Sequence, residues 1–206
     1  MKGDQSWRGL LLHRLSGQDD LLIGVPFDSP LRMEFEGRNL FANTTNMLPL
    51  RSRLPDDAAF PEYLGQMKEL VLAASEHQDY FFGNLVGKLN LPRNPARSPL
   101  FNVVFNLETG AFVRSCGTVE MAIETRNVPY RGPRNAAMFD LYLNAAERGN
   151  GEILGQCDFN TALLEPDTVR RWLGHYRALL HGIVHQPRRP VVELPLIEEG
   201  VAPVAA

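Results

Sequence analysis

Two long segments of the chain carry apolar residues at helical spacing and predict its main helices. The first, Phe60 to Ser75, has Pro61 in its first turn and Asp57 as the expected N-cap. The second, Glu165 to Val184, has Pro166 in its first turn. The apolar stripes consist of Phe60, Tyr63, Leu64, Met67, Leu70, Val71 and Ala74, and of Val169, Trp172, Leu173, Tyr176, Leu179, Leu180 and Ile183. Stripes of this width are typical of core packing, so both helices are expected to cover a sheet.

Shorter elements precede and follow the first long helix. Helices are predicted over Ser6 to Leu15, with Gly17 as the stop, and over Phe82 to Leu89. Strands are predicted over Asp20 to Phe27, Phe41 to Arg51, and Phe101 to Asn106, the second of them at a sheet edge because it contains Pro49. Residues 31 to 39 are interpreted as a loop. Three prolines between residues 91 and 99 predict an ordered turn there.

The second half of the chain is rich in strand patterns. Strands are predicted over Val119 to Glu124, Phe139 to Ala145 and Glu152 to Phe159. The sequence Arg-Gly-Asn-Gly at residues 148 to 151 is typical of a tight hairpin, so the last two strands should be antiparallel. Residues 127 to 135 form a proline- and glycine-containing loop that is expected to lie over a cleft. Little periodicity remains from 187 to 206, which predicts an extended exit segment or linker.

Composition narrows the classes of function. The chain has 206 residues, of which 44% are hydrophobic and 22% charged, so one globular body with a real core is expected. A net charge of −3 gives no general attraction for nucleic acid or anionic membranes. No apolar run approaches the ~18 residues of a membrane span, and the N-terminus does not match a signal peptide. We therefore expect a cytoplasmic protein without nucleic-acid or membrane partners.

Few residues have the spacing that catalysis or metal binding requires. His181 and His185 lie four apart near a helix end, yet no carboxylate motif accompanies them, so no metal site is predicted. Cys116 and Cys157 lack CxxC spacing and are interpreted as reduced thiols. His77 and Asp79 are read as polar residues that pin the bend between two helices, in preference to an acid–base pair. No catalytic residue is assigned.

A family resemblance lies in residues 77 to 106. The sequences HQDYFFGNLVGKLN and RNPARSPLFNVVFN resemble the HQD-Y-P-F-E and R-D-x-S-R-S-P-L-F motifs of condensation domains of nonribosomal peptide synthetases. The motif positions in this chain are His77, Gln78, Asp79, Arg93, Arg97, Ser98 and Pro99, which we expect to be mainly structural. Phe81, Gly83, Asn94 and Ala96 replace the usual Pro, Glu, Asp and Ser.

Two further motif positions leave alternatives open. FANTTNMLPLR resembles the family's G-x-x-V-N-x-L-P-L-R, which places Asn46 at the Asn. Its amide either satisfies backbone groups at a strand irregularity or faces the substrate tunnel and positions a reacting group. Arg93 and Arg97 either tie loop carbonyls or a carboxylate, or face the phosphate of a phosphopantetheine arm.

The resemblance implies a fold and a function. Condensation domains resemble chloramphenicol acetyltransferase and have two lobes, with the signature HHxxxDG in the first. The five histidines of this chain, at 13, 77, 175, 181 and 185, include no adjacent pair. The chain is therefore interpreted as the C-terminal lobe over residues 1 to 186, an α/β structure with a mixed, largely antiparallel sheet packed with helices.

The implied function is peptide (amide) bond formation between a carrier-bound thioester donor and a carrier-bound amine acceptor. The implied partners are the N-terminal lobe, peptidyl carrier proteins with their phosphopantetheine arms, and adjacent synthetase domains. No cofactor is expected to bind this chain directly, and the chain by itself is predicted to be inactive. A docking module without catalysis and a lobe of a heterocyclisation domain are the alternatives.

Overall fold

A computed structural model describes residues 6–28, 45–54, 57–92, 94–95, 97–108, 112–116, 119–123, 138–147 and 152–197. Within these ranges the helices are α1 (Ser6–Ser16), α2 (Phe60–Glu76), α3 (Phe82–Leu89) and α4 (Pro166–His185), followed by a 3-10 turn at Val191–Glu193. The strands are β1 (Asp20–Asp28), β2 (Thr45–Arg53), β3 (Val103–Glu108), β4 (Phe112–Cys116), β5 (Val119–Ile123), β6 (Leu141–Glu147) and β7 (Ile153–Phe159).

Five of these strands form a mixed sheet in the order β2-β1-β3-β6-β7. The β1–β2 and β6–β7 pairs are antiparallel, whereas β1–β3 and β3–β6 are parallel. Strands β4 and β5 form a separate antiparallel pair. The predicted α/β class and mixed sheet are confirmed, as is the antiparallel pairing across the predicted hairpin. The five-stranded sheet is not largely antiparallel as predicted, because two of its four strand pairs are parallel. The hairpin turn itself, at 148 to 151, lies outside the described residues.

Helices α1 and α2 cover one face of this sheet. Side chains on that face form a core cluster with partly buried residues of both helices. The cluster contains Ile23, Val25, Phe27, Leu48, Leu50, Phe105 and Ala145, packed against Leu12 of α1 and Leu70, Val71 and Ala74 of α2. Because side chains alternate along a strand, the neighbours of these residues point to the opposite face of the sheet. That opposite face carries the polar residues described below.

A second core cluster joins α1, α2 and α4. It includes Leu10, Tyr63 and Leu179, together with Val191 and Leu194, which are both 0% exposed. The predicted exit segment therefore begins as part of the packed body. Its backbone is held by Arg14, whose Nη1 donates to the carbonyls of Val191 (3.2 Å) and Leu194 (2.8 Å). This segment packs on the helices because exposing the side chains of Val191 and Leu194 to water would cost free energy.

The helix ends differ from the sequence expectation at one point. Asp57 is not the N-cap of α2, because the helix begins at Phe60 with Ala59 as its N-cap. The Ala59 N–H donates to Glu62 Oε2 (3.4 Å), which is the N3-to-N-cap half of a capping box, while no side chain of the N-cap residue accepts from the first turn. The predicted stop of α1 is confirmed, because Gly17 (φ 66°) adopts the left-handed conformation that ends a helix. Helix α3 ends at Leu89, and its C-cap Asn90 (φ 47°) adopts the same conformation, which the sequence analysis did not predict.

Strands β3 and β6 begin two residues later than the pattern predicts. Phe101 and Phe139 precede their strands, and their rings stack beside the sheet. Residues 31 to 39, 41 to 44 and 127 to 135 lie outside the described residues, so the loop predictions there stay predictions.

Candidate functional site

The side chain of Asn46 holds the turn between α2 and α3. Asn46 lies opposite Phe27 in the β1–β2 ladder and is 4% exposed. Its Nδ2 donates to the carbonyls of Gln78 (2.8 Å) and Tyr80 (3.0 Å), and its Oδ1 accepts from the N–H of Phe82 (3.1 Å). Both N–H groups of the amide are thus occupied by backbone carbonyls. Of the two interpretations of Asn46, this geometry supports the one in which it satisfies backbone groups.

The motif residues of the turn are arranged differently from the expectation. His77 is the C-cap of α2, and its N–H donates to Ala74 O, while the N–H of Tyr80 donates to His77 O. The side chains of His77 and Asp79 are exposed. Among the described residues neither makes a side-chain hydrogen bond, and the two do not form an acid–base pair. The bonds seen at this bend come from the backbone and from Asn46, and the structural role expected of the His77 and Asp79 side chains stays a prediction.

Four aromatic rings continue from this turn across the sheet, and we call them the aromatic row. Ring centroids lie 5.0 Å apart for Phe82 and Phe101, 5.9 Å for Phe101 and Phe139, and 6.5 Å for Phe139 and Tyr142. Phe101 is buried against Gly24, where a Cβ would overlap its ring. Gly24 lies between two residues that face α1 and α2, so the ring packs on the opposite face. Because Gly24 has no side chain, the Phe101 ring can lie directly against the backbone of β1.

A set of polar side chains shares that face, and we call it the amide row: Asn106 of β3, Asn144 of β6 and Gln156 of β7. Asn106 pairs with Asn144, and Asn144 with Gln156, in the two strand ladders. Asn106 Nδ2 donates to Asn144 Oδ1 (3.1 Å). Neighbouring Phe105 and Ala145 belong to the core cluster beneath α1 and α2, which places the amides on the other side.

Two carboxylates flank the amide row. Glu108 Oε1 accepts from Nδ2 of Asn106 (3.3 Å) and of Asn144 (3.4 Å). Gln156 Nε2 donates to Asp158 Oδ1 (3.0 Å). All five side chains are half-buried. Sequence reasoning missed this set, although part of the signal is present: polar residues alternate with apolar ones along residues 105 to 108 and on either side of Asn144.

The proline turn before β3 contributes an exposed cation. The N–H of Arg97 donates to Asn94 O (3.2 Å), and its side chain is exposed. Its guanidinium makes no hydrogen bond or ion pair within the part of the chain that the structure describes, so the expected structural bridge is not seen for Arg97. Ser98 is half-buried and Pro99 exposed. Arg93 lies outside the described residues, and the prediction for it stays a prediction.

Helix α3 presents apolar side chains to solvent beside this turn. Phe81, its N-cap, is 54% and Leu89 48% exposed, and no residue of α3 is fully buried. Leu72 of α2 and Tyr80 of the turn are also exposed, and Lys88 Nζ lies 5.8 Å from the centre of the Tyr80 ring. Exposed apolar groups concentrated on one short helix are typical of a surface that meets another protein segment.

Titratable groups near the amide row do not form a catalytic centre in the described residues. Burial, followed by the charge of Asp158, raises the pKa of the Cys157 thiol to about 12, so it is no nucleophile at neutral pH. No group of three His, Cys, Asp or Glu side chains in the described ranges is placed to hold a metal ion. None of the helices described is long and apolar enough to span a bilayer.

Comparison with known proteins identifies the family. The family model described as "Condensation domain" matches residues 5–202, nearly the whole chain. The chain belongs to the condensation-domain family. A linear gramicidin synthase of Brevibacillus parabrevis is 35% identical over 192 residues, which cover 92% of this chain and 4% of that protein. Surfactin synthase subunit 1 of Bacillus subtilis (strain 168) is 31% identical over 188 residues, 91% of this chain and 5% of the relative.

Solved structures show the same fold. The four-domain nonribosomal peptide synthetase holo-AB3403, bound to AMP and glycine, matches with a TM-score of 0.77 at 20% identity, over 95% of this chain and 15% of that chain. The X-domain from teicoplanin biosynthesis matches with a TM-score of 0.76 at 22% identity, over 93% of this chain and 42% of that one. The condensation-domain family and fold predicted from the motifs are confirmed. The chain spans only a small part of the curated synthetases it matches.

Proposed function

We propose that this chain is the C-terminal lobe of a condensation domain that forms amide bonds in nonribosomal peptide synthesis. Two observations support the lobe assignment. The chain covers 41 to 44% of solved single-domain relatives such as the teicoplanin X-domain and the condensation domain of the Monacolin K polyketide synthase. Its motifs also follow the order HQD then RSPLF, without an HHxxxDG. We extend the proposed lobe beyond residue 186, because the buried side chains of Val191 and Leu194 support that boundary.

The observation that carries the proposal is the sheet face opposite α1 and α2. A face that bears half-buried amides beside stacked aromatic rings suits the wall of a tunnel that receives a polar acyl chain. The N-terminal lobe would form the facing wall. The exposed apolar side chains of α3 support a second contact surface, which another protein segment would cover.

The reaction itself makes limited demands on this lobe. The acceptor amine attacks the carbonyl carbon of the donor thioester, a C–N bond forms, the C–S bond breaks, and the carrier thiol takes up the proton that the amine loses. We assign proton transfer to the lobe that would carry HHxxxDG. This lobe would orient the donor and exclude water, while Asn46 keeps the turn at residues 77 to 82 in place as a positioning residue.

Carrier proteins and adjacent synthetase domains are the proposed partners, and the cytoplasm is the proposed location. The carrier's phosphopantetheine arm is treated as part of the substrate. The exposed Arg97 guanidinium is available to meet its phosphate, because in the described structure no carboxylate neutralises it. Arg97→Ala should then raise the KM for carrier-bound donors and leave free pantetheine thioesters unaffected.

Reconstitution tests the proposal. The chain alone and the chain with its preceding N-terminal segment are each mixed with a donor-loaded and an acceptor-loaded carrier protein, and the amide product is measured by mass spectrometry. We expect product only when the N-terminal segment is present. Amide formation by the chain alone would overturn the lobe assignment, and failure of the complete domain with a broad set of donors would overturn the reaction.

A second candidate is a docking module without catalysis. The neighbour that favours it is the X-domain, which matches with a TM-score of 0.76 in its complex with OxyB from teicoplanin biosynthesis. Upstream coding sequence separates the two candidates, because an HHxxxDG there supports catalysis. A heterocyclisation lobe is the remaining alternative, and it would be recognised by a product one water lighter than the open amide.

A further inference from the structure

Helix α4 carries a row of basic side chains on the face that points away from the core. Arg170, Arg177, His181 and His185 are all exposed, and they follow one another at intervals of seven, four and four residues. Because such intervals return to the same side of a helix, these side chains share one face over about 22 Å of its length. Arg188 is exposed in the turn that follows the helix. We call these five side chains the basic stripe.

The arginines in the middle and at the end of the stripe have no acidic partner in the described structure. Residues 166 to 189 contain five arginines and one aspartate, in a chain whose net charge is −3. That aspartate, Asp167, pairs with Arg170 at the start of the helix. Within the ranges that the structure describes, the side chains of Arg177 and Arg188 make no ion pair or hydrogen bond. The described part of the chain therefore does not neutralise the charge of the stripe.

Helix stability does not explain this arrangement. A solvated helix face usually alternates carboxylates with cations, because opposite charges four residues apart stabilise a helix and like charges at that spacing destabilise it. Arg177, His181 and His185 instead place three basic groups at that spacing. The helix dipole favours cations in the last turn, which accounts for His185 but not for Arg170 or Arg177. We expect such a surface to gain its stabilisation from a partner.

A metal ion suits this surface less well than an anionic partner does. The ring centroids of His181 and His185 lie 3.9 Å apart, and two histidines four residues apart on a helix can bind a transition metal. In the described ranges, however, no third His, Cys, Asp or Glu completes a group of ligands with them. Arg177 and Arg188 flank the pair along the chain, and their charge disfavours a further cation. Guanidinium groups bind carboxylates in a bidentate manner, so the stripe selects anions of that kind.

The shape of the surface favours a helical partner. Residues four apart on a helix are separated by about 6 Å along its axis, so glutamates at every fourth position of a second helix have the same repeat as Arg177, His181 and His185. Gly174 lies on the same face, and nothing is within 4 Å of a Cβ at that position, which leaves space for a partner side chain. Val184 is 74% exposed beside the stripe and offers an apolar contact.

We propose that the basic stripe of α4 is a docking surface for an acidic helix of a second protein domain. Charge complementarity attracts such a helix and fixes its register, while Gly174 and Val184 allow close contact. The rest of the chain is acidic enough to make the net charge negative, which disfavours a long polyanion such as nucleic acid. The inference is independent of amide formation, because docking on α4 can be measured without any reaction.

Fluorescence anisotropy with defined probes tests the proposal on the full chain. The first probe is a labelled peptide of about twenty residues built from Glu-Ala-Ala-Ala repeats, which places the glutamates four apart on a helix. The second has the same charge but a proline in each repeat, so it cannot form a helix. The third is a single-stranded DNA of equal charge. The variants Arg177→Gln and Arg188→Gln each remove one charge from the stripe, and Lys68→Gln removes one from an exposed position on α2.

We expect the helical peptide to bind more tightly than the proline-containing peptide and the DNA. Arg177→Gln and Arg188→Gln should each weaken its binding about threefold, the effect of one exposed ion pair, and Lys68→Gln should leave it unchanged. The inference is overturned by equal affinity for the two peptides, by tighter binding of the DNA, or by equal effects of the three variants. Absence of binding at about 1 mM helical peptide would overturn it as well.

Discussion

The buried side chain of Asn46 makes three hydrogen bonds to the backbone of the turn at residues 77 to 82. The side chain of Asn46 meets two carbonyls and one N–H of residues 78 to 82, none of which has a helical partner at that point. A buried backbone group without a partner costs about 1–3 kcal/mol. Asn46, on the edge strand β2, therefore provides hydrogen bonds that the turn does not make within its own backbone. This explains how a turn with exposed His77 and Asp79 side chains still has a defined path.

Removing the Asn46 amide should destabilise the fold. We expect Asn46→Ala to lower the free energy of unfolding by about 3 kcal/mol, because three backbone groups lose their partner and only part of them regain water. Urea unfolding followed by circular dichroism measures the change. Asn84→Ala, at an exposed amide on α3, is the control and should be neutral. A loss below about 1 kcal/mol for Asn46→Ala would show that the turn is held by other contacts.

At the scale of elements, α1 approaches α2 closely where Gly9 of α1 makes room. Tyr63 of α2 is 1% exposed, and its hydroxyl lies 2.6 Å from Ser52 Oγ of β2. A Cβ placed on Gly9 of α1 would overlap the Tyr63 Oη. Burial raises the pKa of the Tyr63 hydroxyl, so it stays protonated and shares one hydrogen bond with Ser52 Oγ, in which either hydroxyl can donate. The Tyr63 hydroxyl thus joins α2 and β2 at the place where α1 crosses.

The packing of α1 on α2 predicts a coupling between Gly9 and Tyr63. Gly9→Ala should cost about 2 kcal/mol through overpacking, partly offset by the better helix propensity of alanine. In a Tyr63→Phe background the overlapping atom is gone and the next neighbour, Ser52 Oγ, lies 3.3 Å away. The penalty of Gly9→Ala should then fall by at least about 1 kcal/mol.

A double-mutant cycle from four urea unfolding curves measures this coupling. Gly65→Ala provides the control, because nothing lies within 4 Å of a Cβ at that helical position. It should be neutral or stabilising in both backgrounds. Additive effects of Gly9→Ala and Tyr63→Phe would mean that the helices adjust their spacing at little cost.

At the scale of the whole molecule, α2 connects the two core clusters. Its Tyr63 and Met67 pack with α1, α4 and the segment around Val191, while Leu70 and Val71 reach the sheet cluster. Leu70 packs against both clusters. The sheet face with the amide row lies on the far side of this body. Substitutions on that face and on the exposed side of α3 are therefore expected to leave the helical core unchanged.

The thiol of Cys157 should report opening of the whole body. Its pKa of about 12, raised first by burial and then by Asp158, leaves about one thiolate in ten thousand at pH 8. Alkylation by iodoacetamide, assigned to Cys157 by peptide mass spectrometry, should be about a thousandfold slower in the folded chain than in urea.

The same shift sets a pH dependence of stability. The neutral thiol favours the folded state below the ordinary thiol pKa of about 9, and this contribution is lost as pH rises through about 12. The stability difference between the wild type and Cys157→Ala should therefore shrink between pH 9 and 12 in urea unfolding. Rapid alkylation of the folded chain at pH 8 would contradict the burial on which both expectations rest.

Local sequence was sufficient for the element types and for the family. The stripe in residues 60 to 75, the Pro61 start and the prolines that follow residue 91 act over one or two turns of chain, so their patterns predicted α2 and α3 almost to the residue. The HQD and RSPLF motifs identified the family for the same reason, because they are contiguous. The order of parallel strands could not be read in this way, since β3 and β6 meet through contacts nearly forty residues apart.

Only the tertiary structure decided what the polar residues do. The sequence left two roles open for Asn46, backbone bonding or contact with substrate. The structure supports backbone bonding, because the amide of Asn46 contacts residues 78 to 82. Asn106, Asn144 and Gln156 are ordinary polar residues in three separate strands, and they become a row because register aligns them. Hydrophobic periodicity is a property of neighbours along the chain, whereas a hydrogen-bonding surface is created by residues that folding brings together from distant positions.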